Sequence, residues 1–159
     1  MATTVTSPNP PTRVRLEVGQ FNELNFASVL SSVARHPPFA HFSFGLMTER
    51  LREQLQHGAN VLAIENGQLI GYAGWIRVNQ AAAEYWQSGA GEIPLPDWQK
   101  GDAAIVTVTV VEHRSVLVPL MHGISHVCAG MPVYRMRSFQ DGRPDMRRPP
   151  IRGRRYQFS

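Results

Sequence analysis

Three apolar runs, separated by polar turn and loop residues, mark the middle of the chain as three neighbouring β-strands. Two apolar runs flank Asn66-Gly67, a dipeptide whose residues tolerate the positive φ angles of a tight hairpin turn. A third run, rich in Val and Thr, follows about thirty residues later. We therefore predict strands at Val61–Glu65, Leu69–Val78 and Ala103–Val111, side by side in one antiparallel sheet.

Helical spacing precedes these strands. Apolar residues recur every three positions over Phe21–Ala34, which predicts a helix that Pro37 and Pro38 prevent from continuing. Thr48 is expected to cap a second helix, and Gly58 fits the position just after its end. Two helices are thus expected before the first of the three strands.

The second half of the chain predicts one more helix and one more strand. Val116–Cys128 has apolar residues at helical spacing, and a strand is expected at Val133–Phe139. Residues 80–101 read as a long loop, with Trp86 and Trp98 as anchors onto the core. A run of two helices, three strands, a helix and a strand predicts an α+β fold with a central, mostly antiparallel sheet flanked by helices.

The length of 159 residues suits one domain. We predict an extended arm over residues 1–13, because it is polar and contains three prolines, a domain over residues 14–145 and an Arg-rich tail over residues 146–159. A single cysteine, Cys128, in an apolar context predicts a buried, inert thiol and a reducing compartment. With no apolar export signal at the start and no membrane-length run, we expect a cytoplasmic protein.

Charge separates the C-terminal end from the remainder of the chain. Residues 135–159 carry a net charge of +6 and the other residues a net of −2. The planar guanidinium groups of these arginines could bind nucleic acid, an acidic protein or the phosphate groups of a ligand. A solvated tail that binds no partner is an alternative of equal weight. The candidate partner-binding residues are Arg147, Arg148, Arg152, Arg154 and Arg155.

Four stretches resemble the GNAT acyltransferase superfamily, and most closely the RTX-toxin-activating lysine acyltransferases. They are the loop RHPPFAHFSFGLM, the hairpin NVLAIENGQLIGYAGWIRVN, the W-x-x-G-D element from Trp98 to Asp102, and PVYRMRSFQDGRP. The resemblance covers roughly residues 21–145. It implies transfer of an acyl group to a protein lysine from acyl carrier protein or acyl-coenzyme A, with no covalently bound cofactor.

The resemblance also implies the site residues. His41 is the best counterpart of the family's loop histidine and His36 the second. The family's strand aspartate falls on Val108, which cannot orient an imidazole, and Thr107 beside it is the remaining polar candidate on that strand. The sequence therefore leaves the acid–base machinery incomplete.

The loop after the third strand is the expected donor-binding segment. GNAT enzymes hold the coenzyme A pyrophosphate on backbone N–H groups of a Gly-rich loop that opens a helix. Here the loop contains His113, Arg114 and Ser115 but no glycine. His113 and Arg114 would attract phosphate, whereas Glu112 would repel it.

Two other candidate sites, a metal site and a nucleophilic serine, each lack residues that their chemistry requires. His122 and His126 share a helix face and could hold a metal, but a third ligand other than His113 is lacking, so no metal site is predicted. Ser43 near His41 lacks the Gly-x-Ser-x-Gly elbow of a nucleophilic serine.

Two functions remain from the sequence. One is a working lysine acyltransferase that uses His41 or His36 as base. The other is an inactive GNAT-like scaffold, docked through its basic end into a larger assembly such as a phage particle, where it would be a virion component.

Overall fold

The computed structural model describes residues 13–37, 39–136 and 145. Within them, short 3-10 turns lie at Phe39–His41 and Arg114–Val116. The strands and helices are, in chain order, β1 Arg15–Glu17, α1 Glu23–Ala34, α2 Phe44–Gln56, β2 Asn60–Glu65, β3 Gln68–Val78, α3 Gln80–Gln87, β4 Ala103–Val111, α4 Leu117–Val127 and β5 Val133–Tyr134.

The strands form one five-stranded sheet in the order β1-β2-β3-β4-β5. Neighbours are antiparallel from β1 to β4, and β5 runs parallel to β4. The predicted α+β class and the adjacency of the three central strands are confirmed. The chain reaches β5 through α4, because a parallel neighbour requires a crossover connection.

The hairpin between β2 and β3 turns at the predicted dipeptide. Asn66 has φ 51° and Gly67 has φ 75°. Both angles are positive, as a two-residue turn compatible with the strand twist requires.

Helices cover both faces of the sheet. On one face α1 and α2 bury a cluster formed by Val29, Val33, Met47, Leu51, Leu62, Tyr72, Val108 and Val110. On the other face α4 packs Leu120 and Ile124 against Val61, Ala73 and Val106. The central strands are therefore apolar on both sides, which explains their nearly continuous hydrophobic runs.

A β-bulge at Thr107 interrupts the pairing of β3 with β4. Gly74 lies opposite Val108 and Trp75 opposite Val106, so Thr107 is an extra residue without a partner in the register. The bulge moves Val106 to the α4 face and leaves Val108 on the α1–α2 face. A regular strand would place Val106, Val108 and Val110 on one face, and the bulge is the reason why Val106 is separated from the other two.

Helix α2 begins one turn earlier than Thr48, so the expected cap is wrong. It starts at Phe44, and the Thr48 hydroxyl donates to the carbonyl of Gly45 (2.9 Å) inside the first turn. Thr48 therefore lies inside the helix, where its hydroxyl bonds a backbone carbonyl of the preceding turn and does not accept from a backbone N–H as a cap would. The expected stop is confirmed, since Gly58 has φ 62° just after the helix.

Part of the predicted loop 80–101 is helical. Asn79 caps α3 by accepting from Ala81 N (2.9 Å), and Asp102 accepts from Gln80 N (2.8 Å). Two acceptors at its N-terminus stabilise this short alanine-rich helix. Trp86 and Trp98 pack against a cluster at this end of the sheet, which confirms them as anchors.

The outer strands differ from expectation. The three-residue β1 was not predicted, because a segment so short has no readable alternation. Strand β5 covers Val133–Tyr134, while residues 137–139 of the predicted strand and the Asp141-Gly142 turn lie outside the described residues. The arm over residues 1–12 and the tail over residues 146–159 lie outside them too. Within the described residues, no helix has the length and apolar character needed to cross a bilayer.

Gly74 tests the packing between α2 and the bulge. A Cβ there would collide with the side-chain amide of Gln54 and come within 2.8 Å of the Tyr72 hydroxyl. We expect Gly74→Ala to cost about 1–3 kcal/mol of unfolding free energy, because Gln54 must leave a buried, hydrogen-bonded position. Urea unfolding measures this change.

Gly45→Ala is the matched control. Nothing lies within 4 Å of its added Cβ, and the position is helical. The same substitution should there leave stability unchanged or raise it by up to about 1 kcal/mol. Equal losses at the two glycines would contradict the packing described.

Candidate active site

A buried polar bridge joins α2 to the bulge. Gln54 is fully buried, accepts from the Tyr72 hydroxyl at Oε1 (2.8 Å), and donates from Nε2 to Thr107 Oγ1 (2.7 Å). Thr107 Oγ1 also lies 3.5 Å from the carbonyl oxygen of Gly74. The only polar catalytic candidate predicted on β4 is thus held in place by an amide from a helix.

The chemistry of this bridge is that of neutral donors and acceptors. Burial raises the pKa of Tyr72, so its phenol keeps its proton and acts as a donor to Gln54. Gln54 and Tyr72 were not singled out from the sequence. The available signal was a glutamine on the apolar face of α2, three residues after Leu51 and one before Leu55.

His36 lies at the far end of β4, beside Glu112. Its Nδ1 is 2.6 Å from the carbonyl oxygen of Ser32, so the ring hydrogen is on Nδ1, and its Nε2 is 3.8 Å from Glu112 Oε1. A carboxylate therefore stands near a loop histidine, although beyond hydrogen-bond distance. It comes from the end of the strand and not from position 108.

Val108 itself is 2% exposed and lies in the α1–α2 cluster. Thr107 is five residues before Glu112, about 16 Å along an extended strand. The structure thus places His36 near the strand end and Thr107 at the bulge, as two separate groups. Their catalytic roles remain predictions.

His41 ends the 3-10 turn between α1 and α2 and is exposed. Phe39, at the start of the same turn, packs against the α1–α2 cluster and fixes the turn on the protein. Among the described residues, His41 has no hydrogen bond or ion pair, so its imidazole is open to a ligand. Its role as base stays a prediction.

His113, Arg114 and Ser115 are exposed at the junction of β4 and α4. His113 is extended, and its carbonyl accepts from Val116 N (3.0 Å), which starts the helical turn that runs into α4. The N–H groups of Arg114 and Ser115 lie in the first turn and have no partner within it. The segment therefore presents backbone donors, a guanidinium and an imidazole to solvent.

Glu112 does not oppose this positive character as the sequence suggested. Arg35 Nη2 contacts Glu112 Oε1 at 2.9 Å, and Arg35 also donates to Ser31 Oγ at 3.1 Å. The carboxylate is thus turned towards α1 and partly neutralised. An anion at the start of α4 would meet less repulsion than an unpaired Glu112 would exert.

The histidine pair on α4 lies beside a groove and not in a metal-binding cluster of the described part of the chain. The described residues contain no group of three or more His, Cys, Asp or Glu side chains that could hold a metal. His122 and His126 line a groove of about 620 Å³ between α4 and β1, together with Leu16, Val18 and Val61. The proposed partner-binding residues Arg147, Arg148, Arg152, Arg154 and Arg155 lie outside the described residues.

Similar solved structures share this fold. A GNAT-family acetyltransferase from Streptococcus agalactiae is 10% identical, with a TM-score of 0.56 over 82% of this chain and 80% of that one. The E. coli GNAT-family N-acetyltransferase YhbS, in complex with CoA, is 14% identical, with a TM-score of 0.52 over 82% of this chain and 66% of that one. A GNAT-family acetyltransferase from Brucella melitensis, in complex with acetyl-CoA, is 13% identical, with a TM-score of 0.51 over 80% and 78%.

The chain therefore has the GNAT fold. No family model and no curated protein matches the sequence. At 10–14% identity the likeness concerns the fold alone.

Cys128 is buried as predicted, and burial raises the pKa of its thiol from 9.0 to about 12, with Arg77 opposing the rise. At pH 8 only about 10⁻⁴ of the native thiol is ionised. We expect alkylation by iodoacetamide to be about 10³-fold slower in the native protein than in urea. Native and unfolded rates that agree would contradict the burial.

Proposed function

We propose that the protein is an acyltransferase that takes its acyl group from acyl-coenzyme A. The proposal rests on one arrangement: a bulged β4 leads directly into the exposed donor groups of His113, Arg114 and Ser115. General support comes from the shared fold, since two of the similar structures hold CoA or acetyl-CoA.

The pyrophosphate would lie at the start of α4. Arg114 and Ser115 offer backbone N–H groups there, and the Arg114 guanidinium adds two parallel hydrogen-bond donors for a phosphate group. Pairing of β4 with β5 covers Ala104 and Ile105 within the described residues. Beyond Ile105 the backbone of β4 would offer its polar groups to the amides of the pantetheine arm, as an added strand would.

Transfer would join an acceptor amine to the acyl carbon. The amine nitrogen attacks the thioester carbonyl, the C–N bond forms, the C–S bond breaks, and coenzyme A leaves as a thiol after the amine gives up a proton. His41 would be the base, because its imidazole is exposed and has no hydrogen bond or ion pair among the described residues. His36 has Nδ1 committed to Ser32.

The same transfer chemistry suits more than one acceptor and more than one acyl donor. A protein lysine as acceptor, and acyl carrier protein as donor, follow from the resemblance to toxin-activating enzymes. Acyl carrier protein bears the same phosphopantetheine arm as coenzyme A, so the β4 edge would serve either donor.

A non-catalytic scaffold is the second candidate, and one observation favours it. Val108 is packed in a cluster with Met47, Leu51 and Tyr72, so the position that corresponds to the family's strand aspartate offers no carboxylate to an imidazole. Such a protein would keep the fold without transferring an acyl group, in an assembly such as a phage particle.

Donor binding is tested by titrating acetyl-coenzyme A calorimetrically. We expect Arg114→Ala to weaken binding about tenfold, because it removes a charge-assisted contact to phosphate. The effect should shrink as salt rises, since the contact is exposed. Arg52→Ala is the control, because Arg52 is exposed on α2 and lies over the Phe26 ring. Equal binding by Arg114→Ala and wild type would remove this donor site.

Catalysis is tested by following free thiol release from acetyl-coenzyme A with an acceptor amine. We expect His41→Ala to lower kcat about 10²-fold or more with little change in donor affinity, as loss of a general base does. His36→Ala should change kcat less. Donor binding without any acyl transfer, in wild type as in the variants, would favour the scaffold.

A further inference from the structure

Arg50 on α2 has a buried guanidinium nitrogen that nothing satisfies. Its Nη1 is shielded from solvent and has no hydrogen-bond partner among the described residues. Glu49 and Glu53 flank it along the helix, yet neither forms an ion pair with it within the described part of the chain. Arg50 as a whole is partly buried. Polar atoms that are shielded from solvent are ordinarily hydrogen-bonded, so this unsatisfied nitrogen requires an explanation.

The electrostatics show that this cation is poorly compensated. Desolvation lowers the pKa of Arg50 below its usual value, and attraction to Glu53 and Glu49 only partly offsets that effect. An anion beside the guanidinium would form charge-assisted hydrogen bonds with Arg50. These bonds would compensate for the hydration that Arg50 loses on burial.

Helix geometry places Arg50 next to the polar bridge. At 100° per residue, Leu51, Met47, Gln54 and Arg50 follow one another around α2 in that order. Leu51 packs in the α1–α2 cluster, and Gln54 bonds Tyr72 of β3 and Thr107 of β4. Arg50 therefore lies at the Gln54 edge of the buried face, one helical turn or about 6 Å from Gln54.

Gln54 bonds β4 just beyond the last described pairing of that strand with β5. The pairs end at Ile105, and Thr107 bulges two residues later. The acyl end of a donor laid along β4 would approach this region, one helical turn of α2 from Arg50.

We propose that Arg50 binds the carboxylate of the acceptor, which is a small amino-acid-like molecule bearing both an amine and a carboxylate. This inference rests on the proposed function, since it assigns the acceptor of that same site, and it replaces the protein lysine that the resemblance implies with a free amine that carries a carboxylate. A carboxylate accepts two parallel bonds from a guanidinium and cancels its single charge. The phosphates of the donor are already assigned to His113 and Arg114 at the start of α4.

Matched probes separate the carboxylate from the remainder of the acceptor. Standard amino acids and their primary amides are titrated at constant ionic strength, and binding is read from the shift in Tm and from calorimetry. We expect the free acids to bind wild type at least about tenfold more tightly than the amides. Arg50→Gln should abolish this preference, and Arg52→Gln should keep it.

Stability provides a second readout. Removing an unpaired, desolvated charge should leave the free energy of unfolding unchanged or raise it, so Arg50→Met should not lower Tm in the absence of ligand. A loss of stability in Arg50→Met would assign Arg50 to the fold and overturn the proposal.

The other outcomes are also decisive. Amides that bind wild type as tightly as acids, or a preference that survives in Arg50→Gln, would overturn the proposal. Inorganic phosphate that binds through Arg50 and displaces the acids would assign the site to a phosphoryl group instead. A preference that depends on Arg50 in a protein that fails to bind acetyl-coenzyme A would keep the carboxylate site and reject the donor.

Discussion

The amide of Gln54 ties α2 to the two central strands of the sheet. It accepts from Tyr72 on β3 and donates to Thr107 on β4, and it is fully buried between them. A buried amide is tolerated only when its polar atoms are paired, so the three side chains define one another's positions. Gly74 lacks a side chain at the point where the Gln54 amide lies, which leaves the space that this bridge requires.

The polar arrangement around β4 follows from that bridge. The bulge gives the strand an additional residue, turns Thr107 towards α2, and moves Val106 to the opposite face from Val108. The same helix face carries Arg50 beside Gln54. The candidate chemistry of this protein thus lies between a helix and a distorted strand, where position 108 offers no carboxylate.

The end of β4 forms a second polar region. Glu112 is drawn towards Arg35 of α1, which leaves His113, Arg114 and Ser115 to give the start of α4 its positive character. His36 belongs to this region through Ser32 and Glu112. A long-range ion pair therefore decides how the loop between strand and helix presents itself to an anion.

The sequence by itself determined the central strands, the hairpin turn and the α+β class, because short apolar runs of β-forming residues and positive-φ turn residues act locally. It missed α3 and β1, which depend on Asp102 as a distant acceptor and on β2 as a neighbour. Only the tertiary structure decided that Glu112 lies beside His36, that Gln54 pairs with Thr107, and that Arg50 Nη1 is buried without a hydrogen-bond partner among the described residues. These relations join side chains far apart in sequence, and their energies arise from burial, which no local pattern records.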